Sequence, residues 1–285
     1  MTAAANQLEL AKSAISRRLA ELEQRLGVEL FHRTTRKMTL TDTGRGFYER
    51  SRRILDDLSE AEHAVSQAHH ELSGVLRIAA PLTFGLLHLG PAITEFATRH
   101  PGLQFDLDFN DRQIDLVQEG FDLGIRIAEL RDSSLIARKL AEIHSVLCAS
   151  PSYLNKYGTP QTPEDLLKHR CLEYSYVPPD EQWSFIDETG KIIRLKPVFA
   201  LRANNGNYLR DAAIAGLGIL HQPTFIAYQS IRNGELQPIL QNYRFRVVNA
   251  YAIYPPTRHL SQRVRRFIDF LVERFSGTPY WDEPG

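Results

Sequence analysis

Ser13, Arg17 and Gln24 fall on one face of a helix at 100° per residue, with Ser16 on its shoulder. Hydroxyls, an amide and a guanidinium gathered this way can meet the edges of base pairs in a DNA major groove. Further on, Arg33, Thr35, Arg36 and Lys37 crowd positive charge into a short β-branched stretch, which suits phosphate oxygens or a minor groove. A second group lies far from the first. Thr83, in Pro81-Leu82-Thr83-Phe84-Gly85, and Asn204 and Asn205, in Ala203-Asn204-Asn205-Gly206-Asn207, each precede a helix. Such side chains are ordinary caps. Alternatively, the two helix N-termini face each other across a cleft and jointly hold an anionic group through free N–H donors. Arg126 would add a charge-assisted bond there, or else sit in a structural salt bridge. Catalytic chemistry finds no footing: there is no GxSxG, HExxH, P-loop or GxGxxG, and Gly216-Leu217-Gly218 precedes a strand and lacks a third glycine. No enzyme and no cofactor are expected.

The elements that must position the first group begin at Thr2. Thr2 to Leu8 reads as a short helix with Ala4, Ala5 and Leu8 inward, and Glu9 to Ala11 makes a turn. A second helix follows, with Ile15, Leu19, Leu22 and Leu26 as its apolar stripe. Two short helices, the first rich in small residues, read as a helix-turn-helix whose second helix enters the groove. An αα-hairpin with a solvated outer face has the same pattern. Leu30 to Leu40 then reads as a wing of two short strands, and Thr41-Asp42-Thr43-Gly44 caps a long helix. Along that helix Phe47, Ile54, Leu58, Ala61, Val65, Ala68 and Leu72 keep an a/d heptad, with Ser51 in one polar slot, as in a dimer coiled coil. About thirty residues would span ~45 Å. Ser73-Gly74 ends it.

Net charge over the 285 residues is zero, but residues 1–53 hold eleven Lys/Arg against six Asp/Glu, an excess of five. A basic head on an acidic body fits a nucleic-acid contact at one end, though chance asymmetry gives the same count. Cys148 and Cys171 have no metal-ligand spacing and read as packing residues of a reduced cytoplasmic protein. No leader and no apolar run of about 18 residues is present, so neither secretion nor a membrane span is expected.

After Gly74 the pattern changes to alternating strands and helices. Val75–Ala80, Leu103–Phe109 and Phe121–Ile127 read as strands, Leu86–Arg99 and Ile114–Gln118 as helices, and Leu135–Ala149 as extended. A second lobe begins with the Thr162-Pro163 helix start. It continues through a hairpin around Thr189-Gly190, a strand Val198–Arg202, a helix Asn207–Ala215 and a strand Gly216–Leu220. Leu236–Leu240 and Val247–Tyr254 read as strands, and Ser261–Phe275 as a final helix with Val264, Phe267, Ile268, Leu271 and Phe275 on one face. Two α/β lobes with crossings near Cys148–Pro151 and Ile253–Pro256 would enclose a cleft.

The run AAANQLELAKSAISRRLAELEQRLGVELFHRTTRKMTLTDTG resembles the DNA-binding region of the LysR-type transcriptional regulators, and the likeness continues through Gly74-Val-Leu-Arg-Ile-Ala-Ala-Pro81 over essentially the whole chain. The resemblance implies an α+β winged helix-turn-helix (1–41), a linker and dimerisation helix (42–73) and an α/β two-lobed, periplasmic-binding-protein-like effector domain (74–285). Lobe I would comprise 75–150 and 257–285, and lobe II 151–256. It implies a regulator that binds double-stranded DNA as a homodimer or homotetramer, away from any membrane. The small-molecule effector, of anionic type, would sit at positions matching Thr83, Asn204 and Asn205. One departure is visible: the family has a further helix before the position of Thr2, where Met1 stands here. Either the start codon is placed late or the winged domain lacks its first helix. In the second case the chain would be an effector-binding protein with a non-functional DNA-binding domain.

Overall fold

Thr41 shows how the N-terminal residues settle into place. Its hydroxyl accepts the Gly44 N–H (2.8 Å) and donates to the Glu29 carbonyl (2.8 Å), while its own N–H bonds the Leu30 carbonyl (2.9 Å). One side chain thus caps a helix and ties it to the preceding strand. The computed structural model describes residues 2–33, 38–65, 72–129, 134–177, 183–256 and 260–283. It divides into two units, Met1–Ala68 with Val117–Gly120, and His69–Leu116 with Phe121–Gly285.

In the first unit, α1 (Thr2–Gln7) and α2 (Lys12–Leu26) are joined by a turn in which the Leu10 N–H bonds the Ala5 carbonyl (2.9 Å). Of the three residues expected inward on α1, Ala5 is buried, while Ala4 and Leu8 are exposed. The expected stripe on α2 is covered only in part: Ile15, Leu19 and Leu22 are half-buried and Leu26 is exposed, because a six-residue α1 is too short to shield it. The Glu23 carboxylate accepts the Leu30 and Phe31 N–H groups (2.9 and 3.2 Å) and so fastens α2 to the wing. That wing is the antiparallel pair β1 (Phe31–Arg33) and β2 (Met38–Leu40), with Phe31 opposite Leu40. Helix α3 (Asp42–Val65) follows, 24 residues or roughly 36 Å long. Gly44, in its first turn, lies so close to the strand that a Cβ there would stand 1.9 Å from the Leu30 carbonyl oxygen. The seam expected along α3 includes Ala68, which lies outside the described residues. Leu72 is corrected: it packs, partly buried, against the core of the second unit.

The second unit opens with β3 (Gly74–Ala80). The chain then runs through α4 (Leu82–Phe84), a π turn (Gly85–Leu89) and α5 (Gly90–Arg99), a helical stretch starting four residues before its expected Leu86. Thr83 therefore sits inside the first turn rather than ahead of it. Next come β4 (Leu103–Phe109), α6 (Leu116–Glu119), β5 (Leu123–Ala128), β6 (Ile136–Ile143), β7 (Ser145–Ala149) and α7 (Pro151–Tyr157). Thr162 and Asp165 form a capping box on a 3-10 turn (Pro163–Lys168). After it lie β8 (Cys171–Tyr174), the β9–β10 hairpin (Trp183–Ile186, Ile192–Leu195) and β11 (Phe199–Ala203). The remaining elements are α8 (Gly206–Ile214), β12 (Ile219–Pro223), α9 (Thr224–Arg232), β13 (Gln237–Pro238), β14 (Val248–Tyr254) and α10 (Gln262–Arg274).

Two five-stranded sheets result, ordered β4-β3-β5-β14-β6 and β11-β8-β12-β7-β13. The expected crossings are both displaced. The extended run 135–149 breaks at His144: Ile136–Ile143 pairs with β14 in the first sheet, and Ser145–Ala149 pairs with β12 in the second. Val248–Tyr254, expected in lobe II, lies between β5 and β6 of lobe I. Alternation along a strand reports which residues are buried and not which sheet it joins, so the pattern carried no signal for either crossing. Lobe I closes under α10, whose Val264, Phe267, Ile268 and Leu271 are buried as the periodicity predicts, with Phe267 edge-on to Phe96 at 5.0 Å. Cys148 and Cys171 are buried and free, and burial pushes both thiols up to about 12. They remain protonated packing residues. Among the described residues no helix is long and apolar enough to cross a membrane.

Helix α9 serves both cores: Phe225 and Ile226 pack into lobe I, Ala227 and Ile231 into lobe II. A histidine pins it. His88, 2% exposed in the π turn, donates from Nε2 to the Phe225 carbonyl (3.0 Å) and accepts at Nδ1 from the Tyr280 hydroxyl. Burial holds it neutral, with its pKa lowered from 6.5 to about 4. A lowered pKa means that the unfolded chain takes the proton first, so stability is complete above about pH 6.5 and falls as the pH drops towards 4. The expected loss reaches about 3 kcal/mol. Denaturant unfolding across that window should show a shallower fall for His88→Phe than for the parent. Equal slopes would mean that His88 is not the group responsible.

Candidate functional site

Helix α2 begins at Ala11, whose side chain offers no cap; the Ala14 N–H turns back to the Ala11 carbonyl (2.9 Å), and the N–H groups of Lys12 and Ser13 have no intrahelical acceptor. Ser13 is exposed in that turn, Ser16 is half-buried, and Arg17 is exposed, 3.8 Å from Glu21 one turn on. An exposed ion pair of this kind is worth ~0–1 kcal/mol, which leaves the guanidinium ready to exchange partners. Arg33 closes β1, while Thr35, Arg36 and Lys37 lie outside the described residues. The first turn of α2 therefore joins free backbone donors, a hydroxyl and a cation on one accessible face.

The second site lies between the lobes of the second unit. The Leu82 N–H donates to Asp111 Oδ1 (2.8 Å), and the hydroxyl of Tyr174, at the end of β8, hydrogen-bonds the same carboxylate. Burial, with the Asp111 charge beside it, pushes the Tyr174 phenol far up, so it stays a donor. Asn205 caps α8, its Oδ1 accepting the Tyr208 N–H (2.9 Å), which is the ordinary capping role. Asn204 is exposed beside it. The expectation of two free helix N-termini is thereby narrowed, since Asp111 and Asn205 already satisfy part of each.

The starts of α4 and α8 come close together. A Cβ on Gly206 would stand 2.7 Å from Ile226 Cδ1, 3.8 Å from Gln222 Nε2 and 3.9 Å from Thr83 Oγ1. A larger residue at 206 would make the Ile226 side chain move. Thr83 (4% exposed) and Gln222 (3%) are buried, and Thr83 Oγ1, both amide atoms of Gln222 and Asn207 Oδ1 find no hydrogen-bond partner among the described residues. An orphaned buried polar atom costs about 1–3 kcal/mol, so such a cluster calls for a reason. Arg126 is exposed on the face of β5 away from Ile125 and Ile127 and pairs with Tyr251 of β14. Gln222 was missed in the sequence. Its signal was a polar His221-Gln222 pair closing the apolar start of β12 just before a helix.

Two family models match the chain: a bacterial regulatory helix-turn-helix protein of the lysR family over residues 1–45, and a LysR substrate binding domain over residues 69–276. An uncharacterized HTH-type transcriptional regulator of Haemophilus influenzae is 38% identical over 265 residues, covering 92% of this chain and 91% of that protein. Among solved structures, that of CrgA, a LysR-type transcriptional regulator from Neisseria meningitidis, is 34% identical, with a TM-score of 0.66 over 96% of this chain and 93% of that one. The full-length structure of the Vibrio cholerae virulence activator AphB is 28% identical, with a TM-score of 0.65 over 96% and 93%. A matched helix-turn-helix, present with its two helices and strand pair, disfavours the rival of a non-functional DNA-binding domain. These likenesses mark a regulator and not an enzyme. With both models matched, the chain belongs to the LysR family of transcriptional regulators, DNA-binding proteins that carry an effector-binding domain.

Proposed function

We propose that α2 lies in the major groove of duplex DNA with Ser13, Ser16 and Arg17 at or near base edges, and Arg33, Thr35 and Arg36 on the backbone or minor groove. The observation that carries this reading is the uncapped, accessible first turn of α2 with Arg17 beside it. Two copies pair along α3 as a homodimer or within a tetramer. This is supported by Ile54 and Leu58, 67% and 53% exposed on the seam. A small-molecule effector binds between the lobes at Thr83, Asn204 and Asn205, with Arg126 a lesser contributor, and shifts how the subunits are arranged. DNA as the partner puts this work in the cytoplasm. Arg17→Ala should weaken specific binding by about 1–3 kcal/mol and relax base preference at one position per half-site. Fluorescence anisotropy at fixed salt on a cognate operator checks it, and unchanged affinity would remove α2 from the groove.

A further inference from the structure

We propose that the effector presents an uncharged amide edge, as in a carboxamide or a lactam, which pairs with the side chain of Gln222 between the lobes. The inference rests on the effector site proposed above and adds the chemistry it selects. Gln222, at 3% exposure, has both Nε2 and Oε1 unpartnered among the described residues. One planar group carrying a donor beside an acceptor satisfies both at once, as two amides do when they pair edge to edge. Thr83 Oγ1, from lobe I, lies 3.9 Å from where a Gly206 Cβ would be, as Gln222 Nε2 lies 3.8 Å from it, and supplies a third bond.

Charge decides against an anion. The donors and acceptors left open are neutral, whereas the carboxylate of Asp111 is held one residue from Thr83 by Leu82 N–H and Tyr174. An anionic group entering beside Thr83 would meet that fixed negative charge in a water-poor site, where repulsion is weakly screened. An amide meets none.

The test uses the full-length protein and matched probes: acetamide against acetate, benzamide against benzoate, and nicotinamide against nicotinate. Thermal shift and calorimetric titration would be run on the parent, Gln222→Met, Thr83→Val and Asn205→Ala. Amides should bind better than their acids, and Gln222→Met should weaken the best amide about ten- to a hundredfold. Without ligand, Gln222→Met should melt at or above the parent, because it removes two orphaned atoms at nearly constant shape. If acids bind better, and lose affinity in Thr83→Val or Asn205→Ala, the amide inference is wrong and the cleft site stands. If no probe's binding responds to any of the three substitutions, both are wrong. A ligand-free Gln222→Met that melts well below the parent would show that the amide is structural, which also overturns the inference.

Discussion

Gly44→Ala should abolish operator binding, while Gly46→Ala, two residues along the same helix, should leave it intact. A Cβ at position 44 would lie 1.9 Å from the Leu30 carbonyl oxygen and 2.7 Å from its carbon. Both are backbone atoms with no rotamer to yield, so α3 must move away from the strand. That movement breaks the Thr41 N–H bond to Leu30 and the cap on Gly44, and it exposes Leu30, now 3% accessible. Losing a cap costs about 1 kcal/mol, and the clash adds several more. A unit of this size has roughly 3–10 kcal/mol in total. Position 46 has nothing within 4 Å of an added Cβ, and Gly→Ala inside a helix gains about 0.5–1 kcal/mol. Anisotropy gives affinity, and hydrogen exchange at the α2 and α3 amides gives local stability. Equal affinities for the two variants would mean that the strand–helix approach is not needed for the DNA-binding shape.

Leu58→Asp is the second substitution with a large expected effect. On α3 the apolar residues Ile54, Leu55 and Leu58 are 67%, 63% and 53% exposed in the single chain, an arrangement that a second copy would cover. A carboxylate at a seam position would be desolvated without a partner in both copies. At roughly 4 kcal/mol, that raises the dissociation constant of the dimer about a thousandfold. Sedimentation velocity at micromolar concentration should show monomers, and operator affinity should fall with the loss of paired half-site contacts. A variant that sediments as the parent does would place the dimer interface off α3.

Long-period features were legible in the sequence because they are local. The α2 periodicity, the Thr41 cap, the Thr162-Pro163 helix start and the α10 face each depend on residues within a few turns of one another. Features set by distant partners were not. Leu72 continues the α3 heptad in number, yet it is recruited by the lobe I core. Ser145–Ala149 and Val248–Tyr254 alternate like any strand, and only their pairing reveals which lobe they complete. The same holds for the effector site. Thr83 and Asn205 stood out as polar residues at helix starts, whereas Gln222 fell just beyond the expected strand Gly216–Leu220 and carried no assignment. Its open hydrogen-bonding groups are visible only once α8 has packed against α9 at Gly206. Arg126 was singled out for its charge, and its position on β5 follows from strand phase.

The place of β14 between β5 and β6 has a consequence for synthesis. Lobe II is one uninterrupted stretch, β7 to β13, so all of its strands have been synthesised before Val248 is added. Lobe I must wait. From the emergence of Ile143 until β14 arrives, β5 has an open edge and β6 has no neighbour, over about a hundred residues of further translation. At 5–20 residues per second the interval is roughly 5–20 s. An inserted lobe thus matures before the lobe that hosts it. During that time an unpaired edge strand, the kind of surface on which chains aggregate, is left for chaperones to cover.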